Sequence, residues 1–382
     1  MAYLPLSTAN LPDPAIDPAQ GSSPADYFGV NLWSGNSASS TGDSTVGQVI
    51  TTGFQPDWTW IKSRSDTTSH WLIDAVRTVS GGGLRSDTTD TEVGTAFTSF
   101  DSDGFSLNID GSLLGLNKNS QTYVAWNWKA NGSGVSNTDG DFAVTVSANT
   151  ESGFSIVDLT DPNTGASYEV GHGLGSPPEM FFIKKTDTTS DWSVYHKDLG
   201  NDKRLVLNDT GAQSGSSSVY FGSTTPTSDV VTIGSGLSTG DDWIMYCFHS
   251  VEGFSKIGYW DNPTDGEIGG PFVYLGFQPA WIMLKAAATS SDWTSWMIYD
   301  NTRVGINYTD WSDHMLYANR AYNEGLRGNG TSASVLTTNG FQLDFLSNGF
   351  KIYGGGNAEI DSGGKYIYMA FAENPFKYSN AR

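Results

Sequence analysis

The feature that most constrains the fold is a pattern stated three times. Residues 276–299 read GFQPAWIMLKAAATSSDWTSWMIY, residues 53–73 read GFQPDWTWIKSRSDTTSHWLI, and residues 173–195 read GLGSPPEMFFIKKTDTTSDWSVY. Each copy has a Gly-led turn, a proline, an apolar run closed by lysine, a Ser/Thr/Asp turn, and a second run opened by tryptophan. Proline to lysine is 6 residues in all three copies (Pro56/Lys62, Pro178/Lys184, Pro279/Lys285). Lysine to tryptophan is 9, 8 and 8 (Lys62/Trp71, Lys184/Trp192, Lys285/Trp293). Self-similarity at this grain marks an array of one structural unit.

The unit reads as a β-hairpin. Trp58, Trp60 and Ile61 carry strand propensity. A proline cannot donate to a ladder, so it belongs at the strand's first residue or on an edge. The Ser/Thr/Asp run can bond its own backbone and turn the chain. A lone hairpin is marginal in water, so each copy must sit in a larger sheet.

Along the chain, residues 1–26 hold Pro5, Pro12, Pro14, Pro18 and Pro24, which exclude regular helix and favour an extended arm. Its apolar residues Leu4, Leu6, Leu11 and Ile16 suit an arm laid across a neighbouring subunit or anchoring the protein in an assembly, with Pro5 and Pro12 keeping it extended; the plainer reading is a loosely ordered tail. Unit one spans 27–130 and closes on the run Tyr123–Trp128. There Tyr123, Ala125 and Asn127 face one way, and Val124, Trp126 and Trp128 the other. Unit two spans 131–252, opening on the Gly/Ser/Asn linker 131–140, which has a flexible composition. Unit three spans 253–382 and carries an insertion within 301–349, in which Met315–Tyr322 is expected as a short helix. Each unit has about 100 residues or more, a length that can bury its own core. Glycine punctuation and the lack of a long amphipathic pattern point to an all-β chain of tandem antiparallel β-sandwiches.

Charge and composition narrow the partners. The formal net charge of −21 leaves no basic footprint for nucleic acid. No apolar run approaches the ~18 residues of a membrane span, and MAYLPLSTAN does not read as a secretory signal. Cys247 is the single cysteine; it sits in an apolar run and reads as a buried thiol.

The combination resembles the repeated domain of virion-surface and tail-fibre-like proteins of marine bacteriophages. The residues that carry the likeness are Gly253–Trp260 (GFSKIGYW), Gly270–Lys285 (GPFVYLGFQPAWIMLK), 293–301, and the ending 366–376 (YIYMAFAENPF). Unit two departs from it, with Gly-Ser-Pro-Pro where the others read Phe-Gln-Pro. The resemblance implies lectin-like, jelly-roll or concanavalin/SPRY-type sandwiches on a phage particle, and transfers no catalytic residue.

Chemistry-bearing constellations are sparse. Asp101/Asp103, Asp139/Asp141 and Asp261/Asp265/Glu267 cluster carboxylates on loops. Calcium uses such oxygens, but ordinary Asx turns explain them as well. Glu359-Ile-Asp361 is the nearest approach to a glycosidase carboxylate set and lacks its last glutamate. The histidines (His70, His172, His196, His249, His314) show no metal spacing. Tryptophans on the repeated runs, such as Trp58, Trp126, Trp192, Trp243 and Trp281, read as core. Trp311, Tyr317 and Tyr322 fall outside the repeat and are the candidate glycan platforms. The expectation is a non-enzymatic, cofactor-free structural protein of a phage virion. It would be a homo-oligomeric tail fibre, spike or adsorption appendage that contacts other virion proteins and a host surface glycan. A capsid decoration protein and a glycan-degrading tailspike are the alternatives.

Overall fold

The computed structural model describes residues 11–36, 47–77, 79, 82–108, 115–215, 218–262, 270–291, 294–304, 314–326, 342–353 and 364–379. The chain is all-β, with antiparallel sheets that fall into three consecutive sets. The first set comprises β1 (Phe28–Ser34), β2 (Gln48–Thr51), β3 (Trp58–Ser63), β4 (Trp71–Asp74), β5 (Phe97–Asp101), β6 (Gly104–Leu107) and β7 (Thr122–Trp128). The second comprises β8 (Val135–Asn137), β9 (Val144–Asn149), β10 (Phe154–Thr160), β11 (Tyr168–Gly171), β12 (Met180–Lys185), β13 (Ser193–His196), β14 (Leu205–Val206), β15 (Val230–Ile233) and β16 (Asp242–Phe248). The third comprises β17 (Ser255–Asn262), β18 (Phe272–Tyr274), β19 (Phe277–Ala286), β20 (Met297–Asp300), β21 (Leu316–Tyr317), β22 (Gln342–Leu346), β23 (Gly349–Tyr353) and β24 (Gly364–Pro375).

Every set has one larger and one smaller sheet. The larger sheets share the core order opening strand, closing strand, hairpin: β1-β7-β3-β4, β10-β16-β12-β13 and β17-β24-β19-β20. The smaller sheets are β2-β6-β5, β11-β15 and β18-β23-β22. Register makes the copies equivalent residue by residue. Trp58 pairs with Trp128, Met180 with Phe248, and Trp281 with Phe371. Pro56 and Pro178 stand just before their strands. Pro279 lies inside β19, at a register shift where the missing N–H is tolerated.

Alternation along the strands places two apolar layers on each larger sheet. In unit one, Ile61, Tyr123 and Ala125 pack outward against Ile50, Phe97 and Phe105 of the smaller sheet. Trp58, Trp60, Trp126 and Trp128 face inward and join a core built from all three units. At its centre the equivalent rings of Trp128, Phe248 and Phe371 close a triangle, with centroid distances of 6.5, 6.0 and 5.6 Å. Units one and two thus each keep a core of their own between their two sheets, while the inward face of every larger sheet is completed by the other two units.

Cross-unit hydrogen bonds follow the same cycle. The Trp192 indole donates to the Arg85 carbonyl (2.8 Å), and the Trp296 indole donates to the Val206 carbonyl (2.9 Å). His70 occupies the equivalent place in unit one, its ring beside the backbone of Tyr317 and Arg320. A repeated Leu-x-x-Asx holds each of these residues. Asp87, Asn208 and Asn319 accept from the backbone N–H of His70, Trp192 and Trp296. Tyr246 donates to Asp74 (2.7 Å) and Trp126 to Asp300 (3.0 Å), both across unit boundaries.

Several expectations need correction. The equivalent of Trp192 in unit three is Trp296; Trp293 lies outside the described residues. The 131–140 linker contains β8, which pairs with β9 at the edge of the unit-two sheet. Residues 315–322 form β21 and turns rather than a helix, because Leu316 and Tyr317 pair with Ile298 and Met297 of β20. The described part of the arm is not uniformly extended: single 3₁₀ turns occur at Pro18–Gln20 and Pro24–Asp26. Cys247 is buried between the sheets of unit two, which holds its thiol pKa well above the ordinary value.

Candidate functional site

The arm lies on this chain's own body, across the linker between units two and three. Ala15 donates from its N–H to the Glu252 carbonyl (3.3 Å). Ile16 is buried in the shared core. Asp13 pairs with Lys377, and Asp17 accepts from the Tyr378 hydroxyl. Gly253 has φ +77°, and a side chain there would meet the Pro14 ring at 2.6 Å, so glycine is what lets the arm descend onto the linker. Leu11 is half-buried and Pro12 exposed at the rim of this contact. Within this chain, residues 11–26 form an intramolecular strap. Leu4, Pro5 and Leu6 lie outside the described residues.

Of the candidate glycan platforms, Trp311 also lies outside the described residues. Tyr317 is fully buried on β21 within the shared core, so its ring offers no face to a ligand. Tyr322 is half-buried and packs on the shared core, with the Arg320 guanidinium 5.9 Å from its ring centroid. The acidic loops at 101 and 139 form local turns. Asp101 accepts from Ser99 and Ser106, while Asp139 and Asp141 bond to Asn137 and to the Glu169 N–H. Asp265, Glu267, Glu359 and Asp361 lie outside the described residues.

Among the described residues, the exposed large aromatics stand elsewhere, on unit three. Tyr274 is 53% exposed, Phe272 45% and Tyr259 45%. Phe272 and Tyr274 alternate with the buried Val273 on edge strand β18 and so share one face. Beside Tyr274 a cleft of about 460 Å³ opens between the strap and units two and three. Its polar wall is made by the Glu179–Lys197 ion pair (2.7 Å), Ser255 and Lys256. Lys256 donates to the Tyr274 carbonyl (2.7 Å) and stands 5.3 Å from the tyrosine ring centroid. Burial and the neighbouring Lys197 charge lower the Lys256 pKa. Glu179 is fixed by the Ser250 N–H (3.1 Å) and hydroxyl as well as by Lys197. On the other side of the strap a second cleft, of about 480 Å³, is lined by Ile16, Tyr27, Glu151 and His249.

The sequence held a signal for this cleft. Aligned on the repeat, residues 272–279 (FVYLGFQP) match 49–56 (VITTGFQP), so Phe272 and Tyr274 occupy the places of Val49 and Thr51. The register agrees, since Val273 pairs with Phe350 as Ile50 pairs with Phe105. Aromatics at two outward positions of a strand whose copy does without them are the mark that was missed.

No curated protein and no solved structure matches the chain. A family model described as "Domain of unknown function (DUF7483)" matches residues 23–375, nearly the whole length and all three units. The chain belongs to the DUF7483 family.

Proposed function

We infer that this protein is a non-enzymatic structural component of a bacteriophage particle, an adsorption appendage of the tail-fibre or spike kind. The likeness of 253–285 and 366–376 to repeated virion-surface domains motivates the reading. The observation that carries it is the strap. The arm and the residues following β24 are tied together by Asp13–Lys377 and Asp17–Tyr378 beside the linker between units two and three. A tether acting there would load a rigid three-unit body at one place and leave the smaller sheets and their loops in water.

A second reading, a head decoration protein, draws on the internal threefold cycle. A single chain whose three units surround the Trp128–Phe248–Phe371 triangle suits a local threefold position of a lattice. Copy number separates the two. Quantitative mass spectrometry of purified particles should find about a dozen copies or fewer for an appendage. Hundreds of copies would favour decoration, and absence from the particle would remove both readings. Release of reducing ends from host polysaccharide by the purified protein would overturn the non-enzymatic reading.

A further inference from the structure

We propose that the cleft beside Tyr274 binds an uncharged saccharide, with one pyranose ring on the exposed face of Tyr274 and its hydroxyls met by Lys256, Ser255 and the Glu179–Lys197 pair. This deepens the adsorption reading and rests on it.

Three independent observations converge. The first is that the fold does not require the aromatics. The same two outward places hold Val49 and Thr51 in unit one, and Glu169 and Gly171 in unit two, by the matching registers of β2, β11 and β18. An exposed phenylalanine and tyrosine two residues apart on an edge strand therefore serve the surface rather than the core.

The second is that the cleft combines what a sugar ring presents. A pyranose has an apolar face of C–H groups and an equator of hydroxyls that both donate and accept. Tyr274 supplies a flat apolar partner for the face. Around it stand donors (the ammonium groups of Lys256 and Lys197) and an acceptor (the Glu179 carboxylate), all within the lining of one cleft of about 460 Å³. These groups are held before any ligand arrives. Lys256 is anchored on the Tyr274 carbonyl, and Glu179 on Ser250 and Lys197. Such prior order lowers the entropy lost on binding.

The third is charge. The cleft mixes signs, while the molecule as a whole carries −21. Within the cleft Lys197 is paired with Glu179 and Lys377 with Asp13, and Lys256 is offset by Glu252, so a polyuronate meets no unpaired cationic cluster among the described residues here and the charge beyond the cleft is acidic. The chemistry thus selects an uncharged glycan over an acidic one.

The test uses the full chain in native gels cast with laminarin, mannan or dextran, which are uncharged, or with alginate, a polyuronate. The expected result is retardation in at least one uncharged polymer, reduced at least tenfold in apparent affinity by Tyr274→Ala and at least threefold by Lys256→Gln. Thr51→Ala, at the position of unit one equivalent to Tyr274, should leave it unchanged. Tyr274 is exposed, and its hydrogen bond to Lys256 uses the main chain, so the variant should keep the wild-type near-UV circular dichroism. If it does not, Tyr274→Phe serves as the second variant, and it should retain binding through its ring. Retardation in no polymer, retardation in alginate alone, or retardation insensitive to Tyr274→Ala and Lys256→Gln would each overturn the proposal. The particle copy number does not depend on these gels, so failure of the cleft and failure of the appendage reading remain distinguishable.

Discussion

At the scale of single residues, the repeated lysine is the least expected feature. Lys62, Lys184 and Lys285 are fully buried. Each donates to the carbonyl of the residue that follows it: Ser63 at 2.7 Å, Lys185 at 2.9 Å and Ala286 at 2.6 Å. Lys184 and Lys285 also reach into the preceding unit, to the carbonyls of Thr89 and Thr210, at 3.3 Å each. Desolvation pulls their pKa values down from 10.5, to about 7 for Lys62 and Lys285 and about 8 for Lys184. The folded state therefore holds fewer protons than the unfolded chain between these values and 10.5. Stability from this source is complete above pH 10.5 and is lost as the pH falls towards 7, below which it changes no further. Raising the pH from 7 to 10 should raise the thermal midpoint. In Lys285→Met one of the three contributions disappears. Relative to wild type, that variant should be worse at pH 10 than at pH 7 by on the order of 4 kcal/mol. Parallel pH profiles of the two proteins in thermal unfolding would contradict the assignment.

At the scale of elements, the residue after each repeated proline distinguishes units one and two from unit three. Asp57 and Glu179 stand where unit three has Ala280. Asp57 accepts from the Ala130 N–H (2.8 Å) and Glu179 from the Ser250 N–H (3.1 Å), so each carboxylate ties the chain leaving its own closing strand. Ala280 has no side-chain acceptor and makes no such tie in unit three. Asp57→Ala would leave a buried N–H unpaired, an effect of about 1–3 kcal/mol, and hydrogen exchange at Ala130 should quicken with it. Asp57→Asn keeps an acceptor and should lose less; equal losses in both variants would argue for a purely electrostatic role. Elements of this kind were legible because strand alternation and proline placement are local signals. The run 123–128 declares its two faces, and the 6-residue proline-to-lysine spacing declares the copies. Other elements escaped because their cause is distant. Leu316 and Tyr317 are strand because β20 offers a free edge, although the local pattern suited a helix. Trp296 takes the place expected of Trp293 because its indole must reach the Val206 carbonyl in unit two. Of the candidate cleft, the repeat showed the out-of-pattern Phe272 and Tyr274, but not its polar wall, since Glu179, Lys256 and the arm meet only in space.

At the scale of the whole molecule, the shared core decides how the chain unfolds. Trp128 touches Phe28 and Trp58 of its own unit, Phe248 of unit two, and Trp281 and Phe371 of unit three. The ion pairs Asp74–Arg77 and Asp300–Arg303 are buried at boundaries, each accepting a hydrogen bond from the neighbouring unit. Removing one unit would strip the other two of an apolar wall and leave these carboxylates and guanidinium groups facing water on one side only. The three copies should therefore behave as one cooperative body, unlike a string of independent beads. Calorimetry should show a single transition. Trp128→Ala should lower it as a whole, by about 3–5 kcal/mol, without splitting it. Residues 27–130 produced alone should lack near-UV circular dichroism, because the inward faces of β3 and β7, with Trp58, Trp60, Trp126 and Trp128, would be bare. Three resolved transitions, or a folded isolated unit, would mean that the aromatic triangle is a contact between finished domains and not the centre from which they are built.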